Sequence, residues 1–488
     1  MFPDMVRAAG RLAAVFALLT AAVLPARGGG KPAPLNFLLI TADDMNCDSV
    51  GVYGCRVPGV TPNIDRLASQ GLRFRYGNVT VPVCMPTRAV WMTGRYPHRN
   101  GARGFENIRS GIPTLPEELR KAGYTTGIMA KVEHVIPDRK AFDTVVPGRE
   151  LGQGRSPELY HQHARAFFRA AKEAGKPFFL MANSQDPHRP FAGSDQERRF
   201  GPPGTFPPVR DPYQPDQVPV PRFLPELPEV RREMAEYFTS VRRADRTVGE
   251  VLRALEEEGL ADRTLVMFLS DHGMALPFAK TNVYLHSSRT PWIVRWPGVV
   301  RPGQVDDRHF VSGIDLAPTV LEALGLPPLE GADGRSFLPL LQGKSQDGRE
   351  FGFVHFWQTA ARQDFPMRSV QDHRFGYIYN AWSDGTRIFR NESQSGRTWP
   401  AMRRAAATDP AIAARVKLFQ YRVPEELYDY EKDPDALHNL VDDPQYAPVL
   451  QRQRQRMLEH LSSTEDPLLP SFRTLLEGKL PADGKENR

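Results

Sequence analysis

The residues best suited to chemistry lie in VPVCMPTRAVWMTGRYPHRNG, from Val81 to Gly101. Cys84 is followed by Pro86, a residue that fits the first turn of a helix, and by Arg88, four positions on and so on the same helical face. A thiol at a helix N-terminus meets unpaired backbone N–H groups, and a guanidinium beside it favours the anion further. The position is therefore expected to stabilise negative charge. A second set of residues suits a cation. Asp43, Asp44 and Asp271 offer the oxygen ligands that calcium or magnesium prefers, whereas so many carboxylates suit zinc less well. His272 is a poorer ligand for a hard ion and is expected beside the metal or against a substrate oxygen. Lys131, His134 and His188 add a cation and two proton-transfer groups.

These residues need elements to bring them together. NFLLIT (36–41), TTGIMA (125–130), PFFLMA (177–182) and TLVMFLS (264–270) read as buried strands. Segments 63–70, 115–122, 158–174, 229–258 and 315–324 read as helices, several of them closed by glycine. The alternation predicts an α/β fold with a large, mostly parallel sheet between two layers of helices. In such a sheet ligands bind beyond the carboxyl ends of the strands. Asp43 and Asp44 follow the first strand, Lys131 and His134 the second, Asp186 and His188 the third, Asp271 and His272 the fourth. The proline-crowded stretch 183–228 is expected to be an ordered, substrate-facing excursion over the surface. Aromatic, β-rich pieces at 351–357 and 375–382, with a helix over 446–461, predict a small C-terminal α+β domain. The expected boundaries are a signal peptide at 1–26, a catalytic domain at 35–344, the small domain at 345–470 and a tail at 471–488.

The 63 Lys and Arg are interleaved with 57 Asp and Glu, which argues against a nucleic-acid-binding arm and leaves a mild preference for anionic substrates. Arg7 and Arg11 precede an apolar run from Leu12 to Leu24, the pattern of a signal peptide cut after Ala26 and of a secreted or periplasmic protein. The run is too short to span a bilayer comfortably, and no later segment is apolar enough. Three cysteines, Cys47, Cys55 and Cys84, leave at least one unpaired, and that one is Cys84 if the first two bond to each other.

LLITADDMN (38–46), CMPTR with its downstream TGRYPHRNG, SDHG (270–273) and ELYDYEKDPDALHNL (426–440) together resemble the sulfatase family, in the expected order and over almost the whole mature chain. Members of that family fold like alkaline phosphatase. The resemblance implies that a maturation enzyme converts Cys84 to formylglycine, whose hydrated aldehyde is the nucleophile. It implies one calcium ion held by Asp43, Asp44, the side chain at position 84, Asp271 and His272. Arg88 would stabilise the nucleophile, Lys131 and Lys280 would bind the sulfate, His188 would protonate the leaving group and His134 would assist. The implied partner is a sulfated saccharide, and the sequence leaves a homodimer open. FFLMANSQDPHRPF (178–191), LPFAKTNVY (276–284) and FPMRSVQDHRF (365–375) are similar to the N-sulfoglucosamine sulfohydrolase branch, the sulfamidases of heparan sulfate. His272, Lys280 and the Lys131–His134 spacing depart from that branch, and the spacing and the Asp-His pair resemble the iduronate-2-sulfatase branch. The alternatives are therefore an O-sulfatase, a phosphoester or phosphonate hydrolase of the same fold, and a carbohydrate-binding protein without catalysis.

Overall fold

The computed structural model describes residues 34–135 and 139–478, so the expected signal peptide and the last ten residues of the expected tail lie outside the described residues. Eight strands form the main sheet: β1 (Asn36–Asp43), β2 (Leu72–Asn78), β3 (Thr125–Met129), β4 (Thr144–Val146), β5 (Phe178–Pro187), β6 (Thr264–Ser270), β7 (Trp292–Arg295) and β8 (Gln304–Ser312). Their order is β4-β3-β5-β1-β6-β7-β2-β8. Only β7 runs antiparallel to its neighbours.

The apolar runs become central strands because each has two faces to bury. Phe37 and Leu39 share one core with Phe179, Met181, Leu265 and Met267, beneath the helices Cys84–Thr93, Leu115–Lys121 and Leu316–Ala323. Leu38 and Ile40 point the other way, with Leu180, Ala182, Val266 and Phe268, against Pro62–Ser69, Pro157–Glu173 and Pro228–Glu257. The expected three-layer, alkaline phosphatase-like α/β architecture is what the chain adopts.

The excursion differs from expectation. β5 continues to Pro187, so Asn183 belongs to the sheet. Beyond it, Phe191, Tyr213, Val218, Phe223 and Leu224 are buried in the same core as residues of Pro228–Glu257, and Tyr213 N–H donates to Thr239. The proline-rich stretch thus contributes to the core, because its apolar side chains have that long helix to pack on.

A second, antiparallel sheet contains β9 (Gly352–Gln358), β10 (Asp364–Gln371), β11 (Phe375–Asn380) and β12 (Glu425–Asp429), in the order β12-β11-β10-β9. One face packs on the helix Ala447–Ser463 through Val370, Tyr377, Leu427, Met457 and Leu461. The expected tail is helical over Leu469–Leu476, where Phe472 is buried against Tyr379. The small sheet is tied to the segment after Cys84–Thr93 by a buried polar cluster. Asp466 accepts from Arg368 at 2.7 and 3.0 Å, His355 and His460 lie 2.8 Å apart at Nε2, and His98 Nε2 donates to the Thr464 carbonyl. Cys47, Cys55 and Cys84 are all free thiols, so the Cys47–Cys55 bond that the sequence left open is not formed.

Candidate active site

The strand registers set the level of the site. Thr41 of β1 is opposite Asn183 of β5, and Ala42 is opposite Ser270 of β6, so three central strands end together. Asp43 closes β1. Asp44 turns away at φ 68°, and its N–H donates to Asp271 Oδ1 at 3.0 Å. After β3, Ala130 and Lys131 also have positive φ, at 53° and 54°, and Lys131 folds back to pair with Asp43. Such conformations cost about 1–3 kcal/mol each in a residue with a side chain, and here they cluster around the carboxylates.

Cys84 is buried at the first position of the helix Cys84–Thr93, capped by Gly94 in the left-handed region. Arg88, one turn on, is fully buried, and its guanidinium is shared out: Nη2 donates to Asp271 Oδ2 at 2.9 Å, Nη1 to Asn183 Oδ1 at 2.6 Å and to Thr41 Oγ1 at 3.2 Å. The expectation of a stabilised thiolate is corrected. Burial, aided by the charges of Asp43 and Asp271, pushes the Cys84 thiol well above its ordinary range despite Lys280 and Lys131. Desolvation outweighs the helix terminus here.

The carboxylates divide by their neighbours. Burial opposes ionisation of Asp43, but the charges of Lys131 and Arg88 outweigh it and hold the carboxyl well below the usual range. Burial raises Asp44 to about 6, with Lys280 opposing, and raises Asp271, with Asp43 adding to the effect. Lys280 lies 2.9 Å from Asp44, which keeps its ammonium charged in spite of burial. Glu392 reaches the same ammonium at 3.3 Å from outside the large sheet.

The residues fit a hard cation. The ligand atoms of Asp43, Cys84, Asp271 and His272 lie within 4.8 Å of one another, as do those of Asp44, Cys84 and His188. Asp43 Oδ1 and His272 Nε2 are buried without a hydrogen-bond partner. His272 Nδ1–H donates to the Gly273 carbonyl at 3.0 Å, which leaves the Nε2 lone pair 3.3 Å from Asp44 Oδ1. A backbone carbonyl that fixes the tautomer is a common support for an imidazole ligand.

The other two histidines sit at the margin. His188 Nδ1–H donates to the Arg189 carbonyl at 2.6 Å, so Nε2 faces Asp44 Oδ2 at 4.0 Å. Desolvation and the charge of Lys280 hold this imidazole neutral well below its ordinary range, although 32% of its side chain remains exposed. His134 lies beyond Lys131 with its edge against Phe105, and burial with the Lys131 charge lowers it to about 3. All ten sequence-predicted site residues thus gather at one sheet edge. Three more were missed. Thr41 and Asn183 are polar residues inside strands, flagged only by interrupting apolar runs, and Glu392 arrives from a distant segment with no local signal.

Comparison with known proteins identifies the family. The Sulfatase family model matches residues 35–326, and a model described as N-sulphoglucosamine sulphohydrolase, C-terminal, matches residues 271–386. The chain is 32% identical to human N-sulphoglucosamine sulphohydrolase, over 94% of this chain and 96% of that one. It is 27% identical to an ulvan-active sulfatase of Formosa agariphila, over 89% and 81% of the two chains. A solved structure in complex with its substrate D-glucosamine-2-N,6-O-disulfate shares the fold at a TM-score of 0.65 and 18% identity, covering 89% of this chain and 99% of that one. With the family model covering more than half of the sequence, and a relative similar along nearly its full length, this chain belongs to the sulfatase family and is a hydrolase of sulfate esters or sulfamates.

Proposed function

We propose that the protein removes the N-sulfate of glucosamine from fragments of heparan sulfate or heparin, with formylglycine made from Cys84 as the nucleophile and calcium as the metal. The observation that carries the substrate assignment is the likeness to human N-sulphoglucosamine sulphohydrolase, which extends through the C-terminal sheet as well as the catalytic half. Conversion of Cys84 by a maturation enzyme, with an external oxidant and loss of the sulfur, would leave an aldehyde, and addition of water would make it a geminal diol with one hydroxyl for attack on sulfur and the other for release of sulfate by C–O cleavage. Asp43, Asp44, Asp271, His272 and the side chain at 84 would hold calcium, which when bound supplies polarisation of the sulfate oxygens.

The remaining work falls to the chain's own groups. Arg88, fixed at Nη1 and Nη2, stands one helical turn behind position 84 and favours an ionised hydroxyl there. Lys131 and Lys280 present two ammonium groups to the sulfate. His188 aims Nε2 at the site, and the negative charge of an arriving sulfate raises its proton affinity, which suits it to protonate the departing amine. His134 is placed to assist next to Lys131. The apolar segment that follows Arg7 and Arg11 supports export.

The test is sulfate release from glucosamine N-sulfate, glucosamine 6-sulfate and uronate 2-sulfate saccharides, together with the mass of the Cys84 peptide and the activity of Cys84→Ala. Release from the N-sulfate alone, an aldehyde mass at position 84 and no turnover by the variant are expected. Release from an O-sulfate alone would move the protein to another branch, and full turnover by Cys84→Ala would remove the nucleophile assignment.

A further inference from the structure

Glu392 is an acidic side chain that reaches the site without belonging to the carboxylate cluster and without a strand to position it. It lies between β11 and the helix Thr398–Ala405, with Oε1 3.3 Å from Lys280 Nζ. Oε2 is buried without a hydrogen-bond partner, although 26% of the side chain is exposed. Glu392 thus stands at a rim, its charge only partly matched.

Its segment is anchored on both sides. Asn391 donates to Thr281 Oγ1, next to Lys280 in sequence, and its side-chain oxygen accepts from Ser393 N–H at 3.1 Å. At the other end Arg397 N–H and Thr398 N–H donate to Glu233 at 3.0 and 2.7 Å, and Glu233 pairs with Arg189 at 2.5 Å. A Cβ on Gly396 would meet the tips of Glu233 and Arg189 at 2.0 and 2.6 Å, so this backbone passes directly against that ion pair. The segment therefore bridges the loop carrying His188 and Arg189 and the loop carrying Lys280 and Thr281, and it holds Glu392 beside the ammonium assigned to the sulfate.

Lys280 already has Asp44 at 2.9 Å, so Glu392 is not required to balance its charge. A desolvated carboxylate oxygen is costly unless a donor reaches it, and the hydroxyls and amine of a sugar are donors of the right kind. We infer that Glu392 determines specificity: it accepts a hydrogen bond from a hydroxyl or amine beside the sulfated position and disfavours a second anionic group there. This rests on the saccharide reading of the site.

The experiment measures kcat and KM of wild type, Glu392→Gln and Glu392→Ala on three probes: glucosamine N-sulfate, the same sugar with an additional O-sulfate, and 4-nitrophenyl sulfate, which has no sugar. Glu392→Gln is expected to raise KM for the monosulfated sugar tenfold or more beyond its effect on the aryl sulfate. It is also expected to shift the ratio of kcat/KM values tenfold or more toward the disulfated sugar. Parallel losses on all three probes would assign Glu392 to positioning Lys280 and overturn the inference, as would an unchanged KM for the sugar. Failure of the substrate assignment shows separately, as wild type that releases nothing from glucosamine N-sulfate; the same comparison is then run on the sulfated sugar that wild type does hydrolyse.

Discussion

Asn183→Ala tests whether the hydrogen bonds behind the site hold it together. Asn183 Oδ1 accepts from Arg88 Nη1 at 2.6 Å and from Thr41 Oγ1 at 2.7 Å, while Nδ2 donates to the carbonyls of Met129 and Ala130 at 3.0 and 3.2 Å. One small amide thereby joins β1, β3, β5 and the Cys84 helix. Truncation removes a charge-assisted bond, worth about 1.5–3 kcal/mol, and neutral bonds of about 1 kcal/mol each, and it leaves buried partners unsatisfied. The variant should lose roughly 3–5 kcal/mol of the ~5–15 kcal/mol available to a typical domain, read as a lower midpoint in urea unfolding with an unchanged slope. Arg88 keeps Asp271 and the longer bond to Thr41 but loses the nearer acceptor on its second nitrogen, so sulfate release should fall about 100-fold, equivalent to ~2.7 kcal/mol in the barrier. Asn183→Asp sharpens the test: it keeps the shape but turns a carboxylate oxygen toward two carbonyls, and it should be destabilised as well. A loss under about 1 kcal/mol together with near-wild-type turnover in Asn183→Ala would refute this account of how Arg88 is positioned.

Two further outcomes follow from the charges. Calcium at about 100 times its Kd should stabilise the protein by ~2.7 kcal/mol, seen as a higher melting temperature in chloride buffers. Asp43→Asn and Asp271→Asn should lose that gain, and a gain that survives in both would place the ion elsewhere. Stability should also fall as pH drops below about 6.5. Burial, with Asp466 opposing, holds His460 at about 3, and burial with Arg368 keeps His355 well below its ordinary range. Between those values the unfolded chain binds more protons than the folded one, so each histidine costs up to ~1.4 kcal/mol per pH unit as acid is added, and the loss ends below the folded value. His460→Phe, whose ring can keep the stacking on Phe353, should flatten the slope, and an equal slope in that variant would count against the cluster as its source.

What the sequence made legible follows from which forces are local. The four central strands are readable because each is an apolar run buried on two faces, and the site residues are readable because they come immediately after such runs. β8 reads Gln-Val-Asp-Asp-Arg-His along an exposed sheet edge, and β4 and β7 have only three and four residues, so no apolar period marks them. Asn183 looked like the start of a loop because β5 continues past its apolar stretch, and a strand's polar end is recognisable only from the partner it meets, here Thr41 and Arg88. The Cys84 thiol shows the same limit in energy. Helix position and a nearby arginine are local facts and point toward an anion, whereas Asp271, Asn183 and Thr41 occupy that arginine and the surrounding fold removes the water. Residue identities at the site thus come from neighbours along the chain, but protonation comes from neighbours across it. That is why a resting thiol held neutral is consistent with the proposal that the nucleophile is made by chemical conversion of Cys84, since such a nucleophile would not depend on the thiol's own acidity.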